Sequence, residues 1–140
     1  MSSKTQEIYA RFNPARFGSE CCEYRGFAQE MLTVPEHERR AHLEIYYELL
    51  EDIVDGLFEN YCGGTLSAAE KSEIFSLIRA DWSDDAPGGL RASMLSLLGM
   101  IQPLEGVSGW LSSVANRQKD QSYADALRGC AACERKEPVV

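Results

Sequence analysis

Six carboxylates follow one another at helical spacing in the middle of the chain, and no Lys or Arg stands among them. They are Glu44, Glu48, Glu51, Asp52, Asp55 and Glu59. At about 100° per residue, an α-helix places all six within about 100° of arc. Carboxylates in such an array can bind a metal ion or the Lys and Arg side chains of another macromolecule. A solvated helix face is the third interpretation.

These six carboxylates, called the acidic row below, repel one another within an isolated helix. Each like-charged pair at a spacing of three or four residues costs about 0.2–0.5 kcal/mol. Burial of each large apolar residue on the opposite side offers roughly 1.5–3 kcal/mol, so the fold tolerates the row. Alternating Glu and Lys would solubilise a helix without this cost. We therefore interpret the row as a docking surface for a basic partner, and a nucleic-acid-binding groove on another protein is a natural target.

The whole negative charge of the chain comes from its middle third. Residues 36–85 carry 13 acids against four bases, a net charge of −9, whereas the complete chain of 140 residues has −8. This balance excludes a dedicated nucleic-acid binder, because phosphate contacts need a clustered basic surface. No stretch approaches the roughly 18 apolar residues of a membrane span, and the first residues lack the apolar core of an export signal. We expect no membrane association and a cytoplasmic location.

Two of the five cysteines, Cys130 and Cys133, have the spacing of half a zinc site or of a thiol redox pair. A structural zinc needs two further ligands, and the adjacent Cys21 and Cys22 are not the usual second pair. A thioredoxin-like site would follow a strand, which this sequence does not show. We predict no metal or cofactor, with the pair packing on one helix face. A zinc-stabilised or thiol-switching protein that uses Cys130 and Cys133 is the alternative function.

Enzymatic motifs are weak throughout the sequence. His37 and His42, the two histidines, stand five positions apart and so about 140° apart around a helix, which does not match His-Glu-x-x-His. No serine stands in a Gly-x-Ser-x-Gly nucleophile turn. No paired acid and base stands out, and the sequence therefore favours a protein that is not an enzyme.

A short acidic motif, formed by Asp81, Ser83 and Asp85, has the spacing with which a calcium loop opens. Position six of such a loop should be Gly and is Ala86, and position twelve should be Glu and is Ala92. The missing turn residue and the missing bidentate ligand argue against calcium. The motif predicts the end of a helix followed by a turn.

The apolar residues recur at helical spacing almost everywhere, and no alternating run is typical of a strand. We predict a single-domain all-α bundle of five to seven helices over residues 1–134, with a flexible tail at residues 135–140. One helix should run from about Pro35 to Tyr61. Its apolar side opposes the acidic row and consists of Leu43, Tyr46, Tyr47, Leu50, Ile53, Val54, Leu57, Phe58 and Tyr61. Ser67 and Glu70 have the spacing of a capping box that opens the next helix.

One basic and aromatic segment near the N-terminus contains Arg11, Phe12, Arg16 and Phe17. Its phenylalanines can pack this arm onto the bundle, or its arginines can face the acidic row of a second copy and form a homodimer. Taken together, the sequence predicts a small acidic protein-binding module that acts as an inhibitor, antagonist or adaptor. Its expected partner is another protein with a basic surface.

Overall fold

The computed structural model describes residues 4–12, 21–59, 66–102 and 104–132. These residues fold into a single all-α domain, which confirms the predicted class. The described part contains eight helices: α1 (Lys4–Arg11), α2 (Cys21–Leu32), α3 (Glu36–Ala41), α4 (Leu43–Glu59), α5 (Ala68–Asp81), α6 (Gly88–Ile101), α7 (Val107–Asn116) and α8 (Gln121–Ala132). The predicted tail, residues 135–140, lies outside the described residues.

Helix α4 occupies the centre of the domain and packs mainly against α2 and α6. The predicted apolar side of α4 is confirmed, since six of its residues are completely buried: Tyr46, Tyr47, Leu50, Ile53, Val54 and Leu57. Leu43 is half-buried at the start of the helix. The side chains of Phe58 and Tyr61 lie outside the described part. The buried side therefore fixes the opposite side of α4, which carries the acidic row, toward the exterior.

The predicted continuous helix from Pro35 to Tyr61 is wrong at one point, because the chain leaves the helix at His42. There φ is −140° and ψ is 49°, and the His42 N–H donates to the Arg39 carbonyl at 3.2 Å. This tight turn closes α3, and α4 begins at the next residue. Residues 36–42 contain no large apolar side chain, so the spacing of apolar residues could not indicate the break at His42. The break adds the eighth helix, one more than the predicted range.

The Tyr24 ring of α2 packs directly against Gly56 of α4. A Cβ atom added to Gly56 would lie 2.2 Å from Cε1 of Tyr24, which is closer than non-bonded carbon atoms pack. Tyr24 is itself 4% exposed, so its ring has no solvent-filled space into which it can move. Gly56 is therefore required because its lack of a side chain lets the Tyr24 ring approach the backbone of α4, and not because of an unusual backbone conformation.

The predicted capping box is confirmed at the start of α5. The Ser67 hydroxyl accepts from the Glu70 N–H at 3.1 Å, and the Glu70 carboxylate accepts from the Ser67 N–H at 2.8 Å. None of the helices in the described part combines the length and the apolar character that a membrane crossing requires.

Candidate functional site

The acidic row lies entirely on α4, beyond the break at His42. Four of its members, Glu44, Glu48, Asp52 and Asp55, are exposed, and Glu51 is half-buried. The backbone of Glu59 belongs to the last turn of α4, whereas its side chain lies outside the described part. Among the described side chains, no ion pair involves a carboxylate of the row. Within the described residues, the row is thus an anionic surface without a compensating cation.

Two carboxylates of the row have raised pKa values, mainly because they are partly buried. Partial burial raises the pKa of Glu51, and the charges of Asp52, Asp55 and Glu48 raise it further, while a hydrogen bond from Ser96 of α6 opposes them. Partial burial also raises the pKa of Asp52, again with contributions from Glu48 and Asp55. Among the described residues, neither carboxylate has a cationic neighbour that would favour its ionised form.

The position of the row along α4 adds to its unfavourable energy at one end. The C-terminus of a helix carries a partial negative charge, where basic side chains are favourable and acidic ones are not. The last turn of α4 contains no basic residue, and Asp55 stands one turn from its end. Glu44, in contrast, lies in the first turn, where a carboxylate is favourable. The helix dipole therefore favours a cation from outside more at the Asp55 end of the row than at the Glu44 end.

The arginines of the described residues are engaged elsewhere in the molecule. Six contact carboxylates: Arg11 with Glu30, Arg25 with Glu70, Arg39 with Asp81, Arg40 with Glu36, Arg117 with Asp84 and Arg128 with Asp125. The other two lie over aromatic rings, Arg79 at 4.3 Å from the centre of Phe75 and Arg91 at 4.6 Å from that of Tyr123. Neutralisation of the row by an arginine of the described chain would require the loss of one of these contacts.

A buried polar cluster lies on the interior side of α4, and it was not predicted from the sequence. The Arg39 guanidinium of α3 donates to both carboxylate oxygens of Asp81 of α5, from Nε at 2.5 Å and from Nη2 at 3.0 Å. The Tyr47 hydroxyl of α4 donates to the same carboxylate at 2.5 Å. The side chain of Asp81 is fully buried. Burial and the hydrogen bond to Asp81 raise the pKa of Tyr47, and the hydrogen bond to Asp81 raises that of Arg39.

The same cluster contains Asp81, the first residue of the motif that resembles the opening of a calcium loop. Asp81 is used by Arg39 and Tyr47, and Asp84 accepts from the indole N–H of Trp82 at 2.8 Å and from Arg117 at 3.0 Å. The hydrogen bond from Arg117 holds the pKa of Asp84 below its usual range. The predicted helix end and turn are confirmed: α5 ends at Asp81 and a turn follows.

A polar cavity of about 560 Å³ lies beside this turn and extends to the loop between α7 and α8. Its wall contains three acids and three bases: Asp84, Asp85, Asp120, Arg91, Arg117 and Lys119. Several of these charges are already used by the fold, since Arg117 pairs with Asp84 and the Asp120 carboxylate accepts the Tyr123 N–H at the start of α8. The cavity is therefore a less specific candidate than the row.

Within the described residues, no group of three or more His, Cys, Asp and Glu side chains could hold a metal ion. His37 is exposed, and His42 is half-buried at the break between α3 and α4. Cys130 is half-buried against the core in α8. Cys133 lies outside the described residues, so the alternative that uses both thiols stays a prediction.

The basic and aromatic segment near the N-terminus is used for packing where it is described. Arg11 pairs with Glu30 at 2.9 Å and lies over the Phe27 ring at 5.6 Å. Phe12 contacts Phe27 and Tyr24 edge to face, with ring centres 5.4 and 5.8 Å apart. Arg16 and Phe17 lie outside the described residues, and the homodimer stays a prediction.

The chain matches no protein-family model, and no curated sequence or solved structure matches it significantly. The function is therefore inferred from the charge, exposure and contacts of the acidic row.

Proposed function

We propose that this protein is a binding module that docks a basic surface of another protein through the acidic row of α4. The partner would supply Lys or Arg side chains to Glu44, Glu48, Glu51, Asp52 and Asp55. Glu59, the sixth member in the sequence, would extend the contact at the end of the helix. Such a module acts by occupying a basic site, as an inhibitor, antagonist or adaptor in the cytoplasm.

One observation carries the proposal: the row carboxylates form no ion pair within the described chain, although every described arginine contacts a carboxylate or a ring. A row that existed only for solubility would not need its charges to be adjacent and of one sign. Adjacent like charges generate a potential that attracts a basic partner and accelerates its association. A groove that binds nucleic acid on another protein has the matching charge.

The experiment compares capture of basic proteins from a cell extract by the wild-type protein and by a variant of the row. The variant Glu44→Gln, Glu48→Gln and Asp55→Asn removes three exposed charges without touching the core. We expect it to lose about tenfold or more of the captured partner. Capture by the wild-type protein should also fall as the salt concentration rises from about 0.05 to 0.5 M, because salt screens exposed charges.

A matched control removes the same charge from other helices and loops. The variant Glu73→Gln, Asp85→Asn and Glu105→Gln also neutralises three exposed carboxylates, all outside the row. We expect it to capture the partner as the wild-type protein does. Equal loss in both variants would mean that only total charge matters, and equal retention in both would mean that the row is a solvated face.

A further inference from the structure

An open groove of about 360 Å³ lies between α1 and the N-terminal half of α4. Its lining residues are Gln6 and Tyr9 of α1 and Ile45 and Glu48 of α4. Tyr9 is 63% exposed and Ile45 is 40% exposed, and they are the only large apolar side chains in the described part that are exposed to this extent. Both therefore converge on the same groove from different helices.

Single exposed apolar residues are common on protein surfaces and need no explanation. Ile45 differs because it belongs to α4, whose other large apolar residues with described side chains are buried or half-buried. At 40% exposure, part of the apolar surface of Ile45 stays in contact with water, and a partner that buried it would gain affinity. Tyr9 presents a second amphipathic side chain across the groove, and tyrosine is a residue type that protein interfaces favour.

The groove opens directly onto the acidic row. Glu48 is itself part of the groove wall. Around α4, Ile45 lies about 20° from Asp52 and about 60° from Glu48, so it borders the row. At a rise of about 1.5 Å per residue, the carboxylates from Glu44 to Asp55 extend over roughly 16 Å. The apolar groove therefore lies near one end of the anionic surface and not at its middle.

We propose that the groove receives one large apolar side chain at the end of a basic segment of the partner protein. This inference rests on the proposed function, and it specifies the chemistry of the partner. The segment carries Lys or Arg over about 16 Å, which is roughly eleven residues of helix, and its apolar residue lies between Tyr9 and Ile45. The cations align with the row, and the apolar residue contributes affinity through burial. A second copy of this chain would bring its own acidic row and a net charge of −8 against the first.

The test uses two synthetic peptides of equal charge. Both are Ala-based helices of about 16 residues with Lys at spacings of three and four, and only the first has Leu at one end where the second has Ser. For the wild-type protein, we expect Leu to strengthen binding about tenfold, measured by fluorescence anisotropy at fixed salt. Leu is tested at each end in turn, because the partner segment can run in either direction along α4.

The variants Tyr9→Ser and Ile45→Ser should abolish the advantage of the Leu peptide and keep binding of the Ser peptide. Ala80→Ser, an exposed change on α5, is the control and should keep the advantage. Melting temperatures close to that of the wild-type protein show that each variant is folded.

The outcomes separate this inference from the proposed function. If both peptides bind the wild-type protein equally and both bind the row variant more weakly, the groove proposal is overturned and the acidic row stands. If neither peptide distinguishes the wild-type protein from the row variant, the proposed function itself fails. If the protein sediments as a dimer that Tyr9→Ser converts to a monomer, a second copy is the occupant and the groove proposal is overturned.

Discussion

The two sides of α4 use polar groups in opposite ways. On the inner side, Tyr47 donates to Asp81, whose carboxylate is also paired with Arg39, and all three side chains are buried. On the outer side, a row of carboxylates is solvent-exposed in its greater part and has no internal cation among the described residues. The inner carboxylate joins α3, α4 and α5, whereas the outer carboxylates join no elements by ion pairs within the described chain.

This difference separates a carboxylate that the fold requires from carboxylates that it does not require. A buried carboxylate must have all its hydrogen bonds satisfied, since an unpaired buried charge is costly. An exposed carboxylate has no such requirement, and water solvates it at small cost. Substitutions in the buried cluster should therefore lower the free energy of unfolding strongly. Loss of charge on the outer side should leave the free energy of unfolding almost unchanged.

The largest effect is expected from Asp81→Ala, which leaves the Arg39 guanidinium buried and without its carboxylate. Breaking a buried pair on one side costs about 3–5 kcal/mol. Urea unfolding should show this loss in the free energy of unfolding. The triple variant Arg39→Met, Tyr47→Phe and Asp81→Leu removes both charges and the hydroxyl that donates to Asp81, and should recover most of it. Destabilisation of Asp81→Ala by less than 1 kcal/mol would contradict the structural role of the cluster.

An intermediate effect is expected from Gly56→Ala on the same inner side. Its Cβ atom would meet the Tyr24 ring at 2.2 Å, and such overpacking costs about 1–3 kcal/mol. Gly99→Ala in α6 is the matched control, because a Cβ atom there has no neighbour within 4 Å. That variant should gain about 0.5–1 kcal/mol from helix propensity. Thermal unfolding measures both, and a gain of stability in both variants would show that α2 yields at this contact.

The smallest effect, and one of opposite sign, is expected on the outer side. Asp52→Asn removes the repulsion of Asp52 by Glu48 and Asp55, which costs about 0.2–0.5 kcal/mol per pair before salt screening. After screening, the variant should be more stable than the wild-type protein by a few tenths of a kcal/mol. Since the pKa of Asp52 is raised on folding, the folded protein binds this proton more readily than the unfolded chain. The gain in the free energy of unfolding should therefore be present at neutral pH, where Asp52 of the wild-type protein is ionised. It should disappear below about pH 4, where Asp52 is protonated in both the folded and the unfolded chain. Chemical unfolding at pH 7 and pH 3 measures it, and a larger gain at pH 3 would contradict the repulsion.

Regular features of this fold were predictable from local spacing. The apolar residues at three and four positions gave the buried side of α4, and the same helical arithmetic gave the alignment of the carboxylates on the other side. The pair of Ser67 and Glu70 gave the start of α5, because a capping box involves residues only three positions apart. Each of these features is encoded within one helix.

Features that depend on contacts between helices were not predictable in this way. Arg39 and Asp81 are 42 positions apart, and nothing in a single sequence marks two charged residues as partners. In the sequence, Asp81 was instead assigned to the motif that it forms with Ser83 and Asp85. The exposure of Ile45 follows from its angle on the helix, about 20° from Asp52, whereas the groove that it shares with Tyr9 depends on where α1 packs.

The break at His42 places the whole row on α4. The rotation of α4 about its axis, and so the direction of the row, is fixed by the packing of its buried side chains. Substitutions along the outer side can alter the sign, density or order of charge while the interior stays the same. Under the proposed function, variants that share this interior and differ along the exterior side of α4 would bind different partners.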